Sequence, residues 1–344
     1  MSKLDRELDE LLKSAKPRVA KQFRESIKDI VDQAVLGRII AALRIGDVEA
    51  AISALGINNA AFSGIFTEVS ATYNAAGTLT TNATVWRDPN LVRVIHRWDM
   101  ANPVAQEWLA KLSSQRITQI TEVTKTAVRN SIQAGYSKGQ GPRQIALDVV
   151  GRIGANGKRS GGIVGLNAPQ EGYVRNMREY LGSSDPKQQA KAFGMSKRDR
   201  RFDAQIRKSI DSGKPLTKAQ IEKMTGRYSD RLLKLRGDTI ARTETGAAVE
   251  SGRMDAFKQG VDATGHNEDS VIREWDHSGI SHLARDSHTN EDGQIVRGLT
   301  DPFIMSDGVE KMHPIDGNGG AKHDANCRCR QKIRLDYKRL SRGG

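Results

Sequence analysis

The chain has 344 residues, a formal charge of +13, 37% hydrophobic and 5% aromatic residues, little for one close-packed globule but natural for long helices that each bury a narrow stripe. It holds no run of about 18 apolar residues, and its N-terminal MSKLDRELDELL lacks the apolar core and cleavage site of a secretory signal. Two cysteines make no disulfide framework, so a membrane span, an exported scaffold and a disulfide-stapled fold are not expected, and a reducing cytoplasm is.

Residues 1–46 read as helix. Leu4, Leu8, Leu11 and Leu12 form a stripe, Pro17 interrupts or restarts it, and Phe23, Ile27, Ile30, Val31, Ala34 and Val35 carry it on towards Leu43. Gly46 stops this helix and Asp47 caps the next, a short one to Leu55. Another helix is expected over 59–74, and the polar, β-branched stretch 77–85 reads as an exposed arm or loop. Asn102-Pro103 is a cap followed by proline, which opens a helix to about Gln133, expected to be the longest element. A short helix from Pro142 to Arg152 leads into GANGKRSGG, 154–162, which lacks the GK[ST] ending and the preceding buried strand of a phosphate loop. It reads as a hinge or mobile loop. Asn167-Ala168-Pro169 and Asp185-Pro186 open further helices, MSKRDRRFDAQIRKSI (195–210) is a basic helix with Phe202, Ile206 and Ile210 on one side, and Asp238 to Gly260 is a helix facing inward with Ile240, Ala247, Met254 and Phe257.

The charge is unevenly placed. Between Ser131 and Ile240 there are 22 Lys and Arg against 10 Asp and Glu, a net +12, so the rest of the chain is close to neutral. Such a region raises the local concentration of polyanions, with phosphate backbone the commonest partner. Lys197, Arg198, Arg200, Arg201, Arg207 and Lys208 are the candidate contacts. Few aromatics interleave them, so contact with double-stranded DNA would be non-specific rather than sequence-reading. The plain alternative is a solvated helix surface.

The segment from Trp275 to Arg330 holds both cysteines and five of the seven histidines. It is rich in turns and closes on a strict alternation: from Cys327 to Tyr337 the odd positions are Cys, Cys, Gln, Ile, Leu and Tyr, while Arg328, Arg330, Lys332, Arg334 and Asp336 are charged. That pattern marks a strand with one buried face, and both thiols lie on it. Cys327 and Cys329 are then either packed core or, with His288 and His323, an S2N2 set of the kind zinc prefers. A disulfide between residues two apart on one strand face would close no useful loop.

Several features in this part follow one order: Ile240-Ala241-Arg242-Thr243-Glu244 ending a helix, Trp275, Arg285-x-Ser287-His288, Asp292-Gly293, Phe303, Pro314, Asp316, and Asn326-Cys327-Arg328-Cys329. Here the chain resembles the phage Mu F-like family of minor head proteins of tailed double-stranded DNA phages. The likeness is specific over roughly 237–332 and looser before it. It implies a virion component inside the capsid near the portal, present in the host cytoplasm during assembly, that acts in head morphogenesis and in DNA packaging or ejection. The implied partners are the portal protein, on whose symmetry it could form a homo-oligomer, and the major capsid or scaffolding protein. The resemblance also implies structural zinc at the His and Cys positions. Arg242, Glu244, Trp275, Arg285, Asp292 and Gly293 carry the motif, with Arg242 and Glu244 bracing their helix against the C-terminal module.

The fold expected is therefore mainly α: a helical N-terminal region (1–135), for docking on a partner, a basic helical middle region (136–236), elongated like the first, and a small α+β module with a short antiparallel sheet (237–344). An enzyme is not expected. His277, His282, Asp276 and Asp286 are raw material for hydrolysis, but no H-E-x-x-H or G-x-S-x-G is present. The alternative is a metal-dependent nuclease with His288 and His323 at the metal and Asp276 alongside. A DNA-binding regulator would want a helix-turn-helix signature that the basic region lacks.

Overall fold

A computed structural model describes residues 2–154, 157, 159–277 and 285–336. In chain order the helices are α1 Lys3–Gln33, α2 Leu36–Arg44, α3 Val48–Ser53, α4 Ser63–Ala83, α5 Pro103–Lys111, α6 Thr118–Ser137, α7 Pro142–Val150, α8 Ala168–Gly182, α9 Pro186–Ala190, α10 Asp203–Ser212, α11 Lys218–Thr264, α12 Asp286–Thr289 and α13 Gly320–Asp324. The strands are β1 Arg152–Ile153, β2 Arg159–Ser160, β3 Val271–Asp276, β4 Ile295–Arg297, β5 Phe303–Ile304, β6 Glu310–Lys311 and β7 Arg330–Leu335. The protein is mainly α with a small C-terminal α+β module of short antiparallel sheets. Among the described residues no helix is long and apolar enough to cross a membrane.

The chain forms two compact units: Met1–Ala20, Ile65–Ser114 and Asp238–Gly344 make the first, Lys21–Gly64 and Gln115–Gly237 the second. The region 136–236 lies within the second unit, 237–344 enters the first from Asp238 onward, and 1–135 is shared between them.

In the second unit the core joins Ala127 of α6, Val174, Met177 and Leu181 of α8, Ile206 of α10, and Met224, Tyr228 and Leu232 of α11. Asn167 caps α8 in a complete capping box with Gln170, as the Asn-Ala-Pro start implies. Arg236 is buried here; it donates to the carbonyls of Gly165 at 3.1 Å and Ile120 at 3.4 Å and lies over Phe23, and burial lowers its pKa to about 10.

In the first unit α11 supplies the surface on which the C-terminal module is laid. Met254, Phe257 and Val261 pack with Trp86, Val271, Leu299 and Leu335, and Ala247 packs with Trp275, Phe303, Met305, Ile315 and both cysteines. The inward positions Ala247, Met254 and Phe257 are thus as the sequence spacing predicts. The central sheet has the order β4-β3-β7, all antiparallel, with Val271 opposite Leu335 and Asp276 opposite Arg330. Two cations are fully buried in this module. Arg273 donates to the carbonyls of Gly298 at 2.7 Å, Met312 at 2.5 Å and Asp301, and lies over Phe303. Lys311 Nζ holds Asp316 and Asp324, each at 2.8 Å, and Asn318 O at 2.5 Å.

Five expectations are revised. Helix α1 continues through Pro17, because buried Ala15, Val19 and Ala20 on either side outweigh the one lost hydrogen bond. The stretch 77–83 is the end of α4, not a loop: Thr80 and Thr81 are buried, and Gly77 lies so close under Trp98 that a Cβ would come within 2.4 Å of Cε2. The helix expected over 102–133 is broken by a wide turn at Leu112–Ile117, and the longest element is α11, with 47 residues. Its buried face serves one unit near Met224–Leu232 and the other beyond Ala247, so no single stripe announces it. The basic segment 195–210 becomes helical only at Asp203, after a short 3-10 turn at Arg200–Phe202. In the glycine-rich run, Arg152 pairs with Ser160 and Ile153 with Arg159, and Gly161 (φ +76) abuts Gly226 so closely that a Cβ would lie 2.4 Å from its Cα. Ala155, Asn156 and Lys158 lie outside the described residues.

One glycine of α11 decides between two opposed effects. Gly260→Ala raises intrinsic helix propensity by about 1 kcal/mol, but the new Cβ would lie 2.1 Å from Cη2 of Trp86, whose indole is buried and tied to Thr81 O at 3.0 Å. Overpacking of this kind costs about 1–3 kcal/mol. The variant is expected to unfold at lower denaturant than the parent in a chemical denaturation followed by tryptophan fluorescence.

Candidate metal centre

Cys327 and Cys329 lie just before β7, with the exposed Arg328 between them, so the alternation read from the sequence holds in burial even before the strand begins. Tyr337 lies outside the described residues. Asn326, at φ +59, turns the chain into this segment and is held on both sides: its N–H donates to Thr243 Oγ1 at 3.2 Å, and its side chain accepts from Arg242. Opposite the thiols, α12 presents His288, and Arg285 just before it donates to Ala325 O at 2.6 Å. Trp275 of β3 packs edge-on against His288 at 5.5 Å and against Phe303 at 5.5 Å.

His288, Cys327 and Cys329 are all buried and form a group that could hold a metal ion, with one ligand atom from each residue and all three within 4.8 Å of one another. His288 Nδ1 lies 3.4 Å from Cys327 Sγ and 3.5 Å from Cys329 Sγ. Tetrahedral bonds of about 2.0–2.1 Å to nitrogen and 2.3 Å to sulfur imply a nitrogen–sulfur separation of about 3.5 Å, so both sulfurs stand at a ligating separation from His288 Nδ1. The electrostatics agree. Hydrogen bonds from Cys329 and His288 hold the Cys327 thiol down to about 4, and the neighbouring Cys327 together with burial pushes Cys329 up. A cation would favour the thiolate of both. The buried Trp275 Nε1 finds no hydrogen-bond partner in proper geometry, and it acts to favour the Cys329 thiolate.

His323, the fourth ligand expected, is placed behind His288 rather than beside the sulfurs. Its Nδ1 lies 3.2 Å from His288 Nε2, and the two rings stack at 5.4 Å. The physical reason is that the two nitrogens of one imidazole point apart, so a residue that meets Nε2 cannot share an ion held at Nδ1. His323 Nε2 in turn sits 3.1 Å from Asp307 Oδ2, an ion-pair separation without hydrogen-bond angles. Burial lowers the His323 pKa and Asp307 raises it, the first effect being larger. An ion at His288 Nδ1 would therefore find His323 placed as the outer partner that fixes the ligand's tautomer and orientation.

The other motif residues take structural places. Glu244 is buried, and Arg242 braces α11 against the module through Asn326. Asp292 accepts from His277 N at 2.8 Å, and Gly293, at φ +81, donates to Trp275 O at 2.9 Å, so this turn fixes the start of β4 against β3. Asp316 accepts from Met312 N and Asn318 N and pairs with Lys311. Asp276 pairs with Lys332 at 2.9 Å, and His282 lies outside the described residues. Sequence reasoning missed the cations Arg273 and Lys311, each beside a glutamate in a short strand, Glu274 and Glu310, where nothing in the sequence signals which charge is covered.

Of the candidate DNA contacts, Arg198 is committed to Asp203 by two hydrogen bonds of 3.0 and 2.9 Å, Arg201 to Asp199, and Arg207 lies over Phe193. Lys197, Arg200 and Lys208 are exposed with no carboxylate partner among the described residues. No protein-family model, curated protein or solved structure matches the chain.

Elemental analysis of the purified protein is expected to give one transition-metal ion per chain, lost in Cys327→Ala/Cys329→Ala. His323→Gln should keep that stoichiometry at saturation while weakening affinity about 10–100-fold in a chelator competition. An unchanged affinity would remove the outer-partner role.

Proposed function

We propose that the chain is a minor head protein of a tailed double-stranded DNA phage, acting in head morphogenesis and in DNA packaging or ejection. One observation carries the reading: residues of the resemblance spread over 242–329 meet in a single cluster, Arg242 and Thr243 at Asn326, Arg285 at Ala325, and Trp275 and the cysteines at His288. This supports a role for these residues as a structural clip and not as scattered surface residues. The ion we assign is zinc, because paired thiolates with an imidazole suit it and its role needs no redox chemistry. In this reading the protein resides in the virion near the portal, meets portal and capsid or scaffolding subunits in the host cytoplasm, and repeats around the portal ring. The second unit offers phosphate a weak, sequence-independent surface through Lys197, Arg200 and Lys208.

Co-expression with the portal protein of the same phage should yield a complex by native mass spectrometry, and heads assembled without the chain should package or deliver less DNA. Portal rings that form no complex, with heads of unchanged DNA content, would sink the proposal. Lys197→Glu/Arg200→Glu/Lys208→Glu is expected to lower the slope of log affinity for DNA against log salt by about 3, given about 0.9 per phosphate contact, and to leave portal binding intact.

A second reading keeps some support from one observation: three ligands converge, whereas closed structural sites have four, and three protein ligands are the usual catalytic complement. A metal-dependent nuclease would nick supercoiled DNA, and His288→Ala would abolish the nicking. Metal-loaded protein that leaves plasmid intact would dispose of it.

A further inference from the structure

A cleft of about 340 Å³ in the first unit has Cys327 and Cys329 in its wall, at the small end of the roughly 300–1,000 Å³ typical of ligand sites. Four cations line it: Lys16 of α1, Arg242 of α11, and Arg328 and Arg330 of the cysteine segment. The one acid, Glu250, is already used, accepting from Gln331 N at 3.0 Å and lying 3.6 Å from Arg253. Arg330 is paired with Asp9. Lys16 and Arg328 have no carboxylate partner among the described residues, and Arg242 donates to the neutral amide of Asn326. Positive charge is therefore gathered at the cleft in excess of what the protein neutralises. Burial and then the neighbouring Arg242, Arg330 and Arg328 disfavour the charged form of half-buried Lys16. Cations held together against mutual repulsion, two of them with planar forks, match an oxyanion.

We propose that this cleft binds a phosphate group, gripped by Lys16, Arg242 and Arg328 at the wall formed by the two cysteines. The proposal does not depend on the head-protein reading, since free inorganic phosphate and the terminal phosphate of a nucleic acid present the same chemistry. It differs from the surface of the second unit in being a discrete site with a stoichiometry. A divalent ion held by His288, Cys327 and Cys329 would be balanced by the two thiolates, so the grip rests on Lys16, Arg242 and Arg328.

The test is isothermal titration of the full chain, as purified and with its metal content recorded, with inorganic phosphate at low ionic strength. One site per chain is expected, weakened at least tenfold in Lys16→Gln/Arg328→Gln, whose two side chains are exposed or half-buried and whose thermal melting should stay near that of the parent. The control Lys197→Gln/Lys208→Gln should bind as the parent does. No saturable binding, or equal affinity in the cleft variant, overturns the proposal. A competing oligonucleotide separates the sources: displacement of phosphate by a 5′-phosphorylated strand but not by its dephosphorylated counterpart assigns a nucleic-acid end, and displacement by neither assigns free phosphate. Equal displacement by both overturns the discrete site in favour of a diffuse basic surface.

Discussion

The C-terminal module is held by cations where hydrocarbon would be expected. Its elements are short, its sheets have two or three strands, and its turns leave many carbonyls facing inward. Such carbonyls need donors, since a buried polar group without a partner costs more than the bond is worth when made. Arg273 meets this need for three loops at once, at Gly298, Asp301 and Met312, and Lys311 does so for the loop from Asp316 to Asp324. The placement of α13, and with it His323, depends on that loop. Breaking either hub would leave groups buried with no replacement, so the two cations add to the apolar clusters that hold the module on α11.

The candidate metal site rests on this frame. His288 is the pivot: one nitrogen faces the sulfurs, the other faces His323, and Trp275 closes the ring's edge. Each neighbour is fixed by a backbone feature, the cysteines by the turn at Asn326, His288 by the short helix after Arg285, and Trp275 by its register with Gln331. Preorganisation of this kind matters for a group that must hold two thiolates and an imidazole near one point, because each would otherwise lose conformational freedom on binding.

Much of this was legible in the sequence. Periodicity placed the inward residues of α11 from Ala247 to Phe257, caps placed the starts of α5, α8 and α9, and the alternation after Cys327 put both thiols on the buried side. What failed did so for tertiary reasons. The β-branched threonines of α4 spoke for an extended arm until packing against neighbours decided otherwise, and Pro17 was silent about the contacts that carry a helix through it. Spacing in sequence grouped His323 with His288 and the cysteines, but only the orientation of an imidazole tells a ligand from the residue that steadies it. Buried Arg273 and Lys311 could be read as ordinary surface charge, because period alone does not say which face of a short strand is covered.

The pairing of Arg330 with Asp9 joins positions 321 apart, and Leu8 and Leu12 share a cluster with Val249. The first unit therefore joins α1 to α11 and to the start of β7. Asp9 is synthesised long before Arg330, so the stripe of α1 meets Ala76 and Leu79 of α4 early but waits for Val249 to complete its cover, and contacts of such long range close slowly. Completion of the first unit is thereby tied to synthesis of α11 and β7, and a chain halted before Val249 would carry a partly open stripe.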